Sequence, residues 1–129
     1  MGGYDPVFAP FLWEDVDLCY RAWRQGLRVV HAPEAVCHHE GSATLREQKT
    51  LAEREAIGFR NRVLFHLRNL REAELRAEVF GALAAYALFE PIEERHIGLR
   101  EALDPRRLAG RAGQGGLGDR AILEKVQPR

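Results

Sequence analysis

Trp13-Glu14-Asp15-Val16-Asp17-Leu18-Cys19-Tyr20-Arg21 places three carboxylates within four positions, where a loop gives way to a helix. Upstream, Gly2 to Phe11 mixes Gly-Gly, Pro6 and Pro10 with Tyr4, Phe8 and Phe11, which predicts an ordered loop that needs an apolar surface to pack on. From Trp13 to Gln25 the pattern is helical: Glu14, Asp15 and Asp17 suit the positive end of the helix dipole. Leu18 and Ala22, with Val16, Cys19 and Trp23 on a neighbouring stripe, form the expected buried side, and Gly26 supplies the stop. On such a helix Glu14 and Asp17 share a face and Asp15 points about 100° away. Crowded carboxylates raise one another's pKa and the helix N-terminus lowers it, so a general base in reach of a hydroxyl and a purely structural acidic first turn both fit.

Outward from this helix, Leu27-Arg28-Val29-Val30-His31 and Ala35-Val36-Cys37-His38 are candidate strands separated by Pro33. The rest turns helical. Phe59, Val63, Leu67 and Leu70 recur at i, i+4, i+8 and i+11; a further helix is expected from Glu72 to about Phe89, and a weaker one from Ile92 to Leu103 after Pro91. Five glycines between Ala109 and Gly118 predict a flexible tail. The expected fold class is therefore an α/β unit, a helix with two short strands, over residues 1–48. A helical extension over 49–108 and the tail over 109–129 complete the division.

The totals exclude some function classes. Nineteen basic residues balance nineteen acidic ones, so no overall field gathers nucleic acid. Cys19 and Cys37 have neither CxxC nor metal-type spacing and read as reduced thiols, which points to the cytoplasm. The first residues lack the basic and apolar regions of a secretory signal. The longest uncharged apolar run, Val79 to Phe89, covers about half of a bilayer core as a helix and can only lie against a membrane or a partner.

Two further clusters could carry chemistry. His38-His39-Glu40 precedes Gly41-Ser42, but adjacent strand residues point to opposite faces, so at most one imidazole serves a given site. Between Leu45 and Arg76 eight basic residues face five acidic ones; Arg46, Lys49 and Arg60 would meet a phosphate if they lined one cleft, although a solvated helix face is the commoner use of such charges.

Taken in order, these elements resemble inverting family 2 glycosyltransferases of the GT-A type, in particular the rhamnosyltransferase-like branch. The counterparts are Gly2-Gly3-Tyr4-Asp5, the Leu12-Trp13 pair, Glu14 to Arg21, Gly26-Leu27-Arg28-Val29, Pro33 to Cys37, His38-His39-Glu40-Gly41-Ser42 and Arg60-Asn61. The resemblance spans roughly residues 2–70. It implies Asp15 as the general base toward an acceptor hydroxyl, with Glu14 beside it, and Trp13, Asp17 and Arg21 binding the acceptor or orienting the site. It also implies His38 as an additional ligand of Mn²⁺ or Mg²⁺, and Arg46 and Arg60 as phosphate contacts. The partners implied are a nucleotide sugar and a saccharide or lipid-linked acceptor, at the inner face of a membrane. The family's Asp-x-Asp metal motif is not found ahead of Gly2, so the expectation is a partial enzyme without its nucleotide-binding half, inactive by itself. Asp15-Val16-Asp17 has that spelling but occupies the position of the base motif. The competing reading is a non-catalytic helical module that docks a partner or membrane through Val79 to Phe89; a small metal-binding protein built on His38, His39 and Glu40 ranks below both.

Overall fold

The computed structural model describes residues 2–38, 49–89, 93–109 and 116–126. Within these, a 3-10 turn at Pro6–Phe8 precedes six α-helices: α1 (Glu14–Arg24), α2 (Leu51–Asn69), α3 (Ala73–Phe89), α4 (Glu93–Ala102), α5 (Pro105–Leu108) and α6 (Asp119–Val126). The central element is α2, against which α1, α3, α4 and α5 all pack. Its start is fixed by a capping box: the Thr50 hydroxyl accepts from the Glu53 amide while the Glu53 carboxylate accepts from the Thr50 amide.

The stripe Phe59, Val63, Leu67 and Leu70 faces inward as its spacing predicts, joined by Leu64 and Phe65. Phe8, Val63, Leu64 and Ile122 are almost completely buried, and each such side chain contributes about 1.5–3 kcal/mol through removal from water. Gly98 sets the approach of α4 to α2: a Cβ there would lie 2.4 Å from the Ala56 carbonyl oxygen. On the other side Phe59 stacks on Tyr86 of α3, with ring centroids 6.1 Å apart.

The α/β expectation is corrected here, because the described residues contain helices and no strand. Leu27 to His38 is extended or turning and exposed throughout, Val30 at 70% and Val36 at 75%. A strand exists only as one side of a hydrogen-bonded ladder, and two short β-branched runs do not make a stable sheet without further strands or a packing surface. Local alternation signals a preference but supplies no partner.

The buried face of α1 also differs from the apolar stripe. Asp17, Tyr20, Arg21, Ala22 and Arg24 are buried, whereas Val16 is exposed and Leu18, Cys19 and Trp23 are only partly covered. Hydrophobic periodicity fails because this interface is polar and paired with distant residues. The segment expected as a tail contains α6, whose Asp119 and Ile122 are fully buried. Asp119 accepts from the Tyr20 hydroxyl at 2.6 Å, from an Arg24 guanidinium nitrogen, and from the Arg71 and Glu72 amides at 2.6 and 2.8 Å. One carboxylate thus ties α1 to the start of α3 and satisfies two donors that a helix N-terminus leaves open.

Candidate active site

The loop entering α1 carries unusual backbone. Leu12 and Trp13 have φ of 73° and 74°, the left-handed region, although neither is glycine. Each such residue costs about 1–3 kcal/mol and persists only where its surroundings hold it. Here the hold comes from α2. The Asn61 side-chain amide donates to the carbonyls of Phe8, Phe11 and Leu12 at 2.8, 2.8 and 2.9 Å, while its oxygen accepts from Arg60 Nε at 3.0 Å. Arg60 in turn donates to the Ala9 carbonyl and reaches Glu101 at 3.2 Å. Gly58 leaves room for Leu12, whose Cδ1 would lie 3.3 Å from an added Cβ. Trp13 then packs over Phe65 and His66 at 5.3 and 5.8 Å between ring centroids. Burial, opposed by the hydrogen bond to the Arg62 carbonyl and reinforced by the Arg62 charge, holds the His66 pKa below its ordinary value, so this imidazole is neutral at pH 7.

The three carboxylates of the opening motif part company. Asp17 is fully buried: Oδ2 takes Arg21 Nε at 2.7 Å and Oδ1 takes the Asn69 amide at 2.9 Å. Arg21 reaches on to the Gly3 carbonyl at 2.6 Å, so this pair joins α1, the end of α2 and the N-terminal loop. Asp15 is exposed, and among the described residues its side chain accepts only from the adjacent Val16 amide, at 2.8 Å to Oδ1. Glu14 lies between these extremes. Its Oε2 is buried without a hydrogen-bond partner beside a cavity of about 250 Å³ walled by Tyr4, Pro10 and Phe11.

Trp13, Glu14, Asp15 and Asp17 therefore occupy the start of α1 and Arg21 its last turn; Asp15 is the most open of the five, Trp13 and Glu14 are half-buried, and Asp17 and Arg21 are buried. Arg60, read from sequence as a phosphate contact, is buried and committed to Ala9, Asn61 and Glu101. Arg46, His39 and Glu40 lie outside the described residues. His38 is exposed, and among the described residues no three His, Cys, Asp or Glu side chains come together as a metal centre would need. The described donors thus do not by themselves fit a divalent cation. Asn61 is the residue whose structural part sequence reasoning missed; its pairing with Arg60 was visible, but the loop it holds is about fifty residues away.

No curated protein matches the chain, and no solved structure does. The model for glycosyl transferase family group 2 matches residues 2–92, from the glycine pair ahead of the clamped loop through α1, α2 and α3. Because that match takes in most of the chain and the whole carboxylate motif with its supporting loop, this chain belongs to the family 2 glycosyl transferases.

Proposed function

We propose that the chain forms the acceptor side of an inverting glycosyltransferase of the rhamnosyltransferase-like branch, with Asp15 as general base. The observation that carries this reading is the division between Asp15 and Asp17. Asp17 is consumed by Arg21 and Asn69, whereas Asp15 stands exposed at the end of a strained, clamped loop. Asp15 removes the proton of the acceptor hydroxyl as that oxygen bonds to the anomeric carbon. The bond from that carbon to the nucleoside diphosphate breaks on the opposite face, and the diphosphate leaves with the electron pair.

Glu14 orients the acceptor: its unpartnered Oε2 is suited to receive a second hydroxyl from the cavity side. Trp13 offers an aromatic wall. Mn²⁺ or Mg²⁺ is the cofactor that the family reading proposes; when bound it would supply positive charge to the diphosphate. His38, which is exposed, would serve as an additional ligand of such a cation. The proposed acceptor is a saccharide or lipid-linked saccharide at the cytoplasmic face of a membrane; among the described residues no helix is long and apolar enough to cross one. Since the described residues form no sheet to carry the nucleotide, the chain by itself is proposed to be inactive.

The test is Asp15→Asn in a transferase that joins this segment to a nucleotide-binding domain. Turnover should fall by about 10²–10⁴ with the melting temperature unchanged, because the exposed Asp15 side chain bonds only its neighbour Val16 among the described residues. Turnover within a few-fold of wild type would remove Asp15 from the reaction. It would favour the docking reading, toward which exposed Leu88 and Phe89 at the end of α3 point.

A further inference from the structure

A second cavity, of about 380 Å³, opens beside the strained loop, with Trp13, Arg54, Glu55, Arg62, Tyr86 and Arg95 among its walls. Three guanidinium groups share it with one carboxylate. Elsewhere this fold pairs its covered arginines with acids: Arg21 with Asp17, Arg24 with Asp119, Arg60 with Glu101 and Arg68 with Asp5. Arg54 and Arg62 have no ion pair among the described residues; Arg54 makes only a long hydrogen bond to the Thr50 carbonyl, at 3.4 Å. Arg95 is buried and fixed, its guanidinium carbon 3.7 Å from the Tyr86 ring centroid and Nη2 donating to the Tyr86 hydroxyl at 2.6 Å. Arg62 lies 6.0 Å from the same ring.

Arg54 and Arg62 bring two like charges to one concavity, and an anion between them removes their repulsion. Guanidinium forks match the oxygens of phosphate in geometry as well as charge. The half-buried Trp13 ring in the same walls suits the carbon face of a sugar ring, whereas the Tyr86 ring is engaged by Arg95 and Phe59. Trp13 lies two residues from Asp15, so their Cα atoms are at most ~7.6 Å apart.

We propose that this cavity binds the phosphate of a phosphate-bearing saccharide, and so selects an acceptor in which the phosphate sits beside the sugar presented to Asp15. The assignment of that ligand as the acceptor rests on the transferase reading; phosphate binding does not. The experiment is titration of the purified chain with glucose 1-phosphate, pyrophosphate and glucose, followed by tryptophan fluorescence and calorimetry, and with phosphatidylglycerol vesicles by co-sedimentation. Arg54→Ala and Arg62→Ala are the test variants. Arg106→Ala, an exposed arginine paired with Asp104 away from the cavity, controls for net charge.

Glucose 1-phosphate should bind saturably and glucose should not; each test variant should raise Kd at least about tenfold, with melting temperature and the Arg106→Ala affinity unchanged. Binding of the vesicles alone, lost in Arg62→Ala and kept in Arg106→Ala, would support the same phosphate site with a lipid headgroup as its source. Absence of saturable binding by every phosphate probe, or equal weakening by Arg106→Ala, overturns the proposal. Asp15→Asn separates the two readings, since it should leave binding intact whatever it does to transfer.

Discussion

Replacing Asn61 tests the clamp that holds the loop ahead of α1. Its amide nitrogen has two hydrogens and faces three carbonyls at 2.8–2.9 Å, so one hydrogen is shared, and its oxygen takes the Arg60 Nε proton. Asn61→Ala removes about three net hydrogen bonds at about 1 kcal/mol each and leaves buried carbonyls unsatisfied. Part of that loss is returned as Leu12 and Trp13 relax partially from positive φ. A net destabilisation of about 2–4 kcal/mol is expected for a fully buried position that also orders its neighbours. Asn61→Asp keeps the shape but turns the donors into acceptors, placing carboxylate oxygens against carbonyl oxygens. Only Arg60 remains to offset the buried charge, so this variant should be worse than alanine by more than about 1 kcal/mol at pH 7. Urea unfolding followed by circular dichroism gives both values, and tryptophan emission reports whether Trp13 leaves Phe65 and His66. Equal stability of Asn61→Asp and Asn61→Ala would mean that Asn61 does not hold the loop by donation, and the account of the strained entrance to α1 would fail.

Asp119 should make the fold sensitive to acid. Burial pushes its carboxyl pKa up, but the Tyr20 hydroxyl, the Glu72 and Arg71 amides and Arg24 outweigh this and hold it below the usual value. A group depressed in the folded state stabilises above its unfolded pKa and loses that stabilisation as pH falls through the folded one. Wild type should therefore weaken below about pH 4, whereas Asp119→Asn should be less stable at pH 7 and lack this part of the acid slope in pH-dependent urea melts. Gly98→Ala should lower the melting temperature despite alanine's better helix propensity of about 1 kcal/mol, because the new Cβ meets backbone atoms of α2 at 2.4 and 3.1 Å. A Gly98→Ala variant at least as stable as wild type would show that α4 does not approach α2 this closely.

The helical half was legible because its signals are local. The stripe from Phe59 to Leu70 specifies an inward face, and Pro91 falls between α3 and α4. The Thr50-x-x-Glu53 capping box at the start of α2 is a signal of the same local kind. What failed depended on partners. Val29, Val30 and Val36 carry strand preference, but preference becomes a strand only against a sheet. The tail looked unstructured on its glycines, yet Asp119 and Ile122 dock on residues about fifty to a hundred positions away. For α1, counting apolar residues found the buried Ala22 but missed Asp17, Tyr20, Arg21 and Arg24, because the buried face uses charges satisfied by Gly3, Asn69 and Asp119.

Helix geometry explains why three adjacent acids took three roles. Successive residues turn about 100°, so Asp15 lies about 200° from Asp17 and cannot face the core when Asp17 does, while Glu14 falls about 60° from Asp17, at the edge of the covered face. That order agrees with the structure: Asp17 buried, Glu14 half-buried with one covered oxygen, Asp15 exposed. The buried member anchors the other two. Through Arg21 it holds the Gly3 carbonyl, and through Asn69 it fixes α1 against the end of α2, so the direction in which Asp15 points is set by a residue facing away from any substrate. Loss of activity on substituting Asp17 would accordingly report on the frame, since breaking a buried pair costs about 3–5 kcal/mol. Under the proposed mechanism Asp15 is the position where chemistry and folding separate, because its exposed side chain would take part in the one without supporting the other.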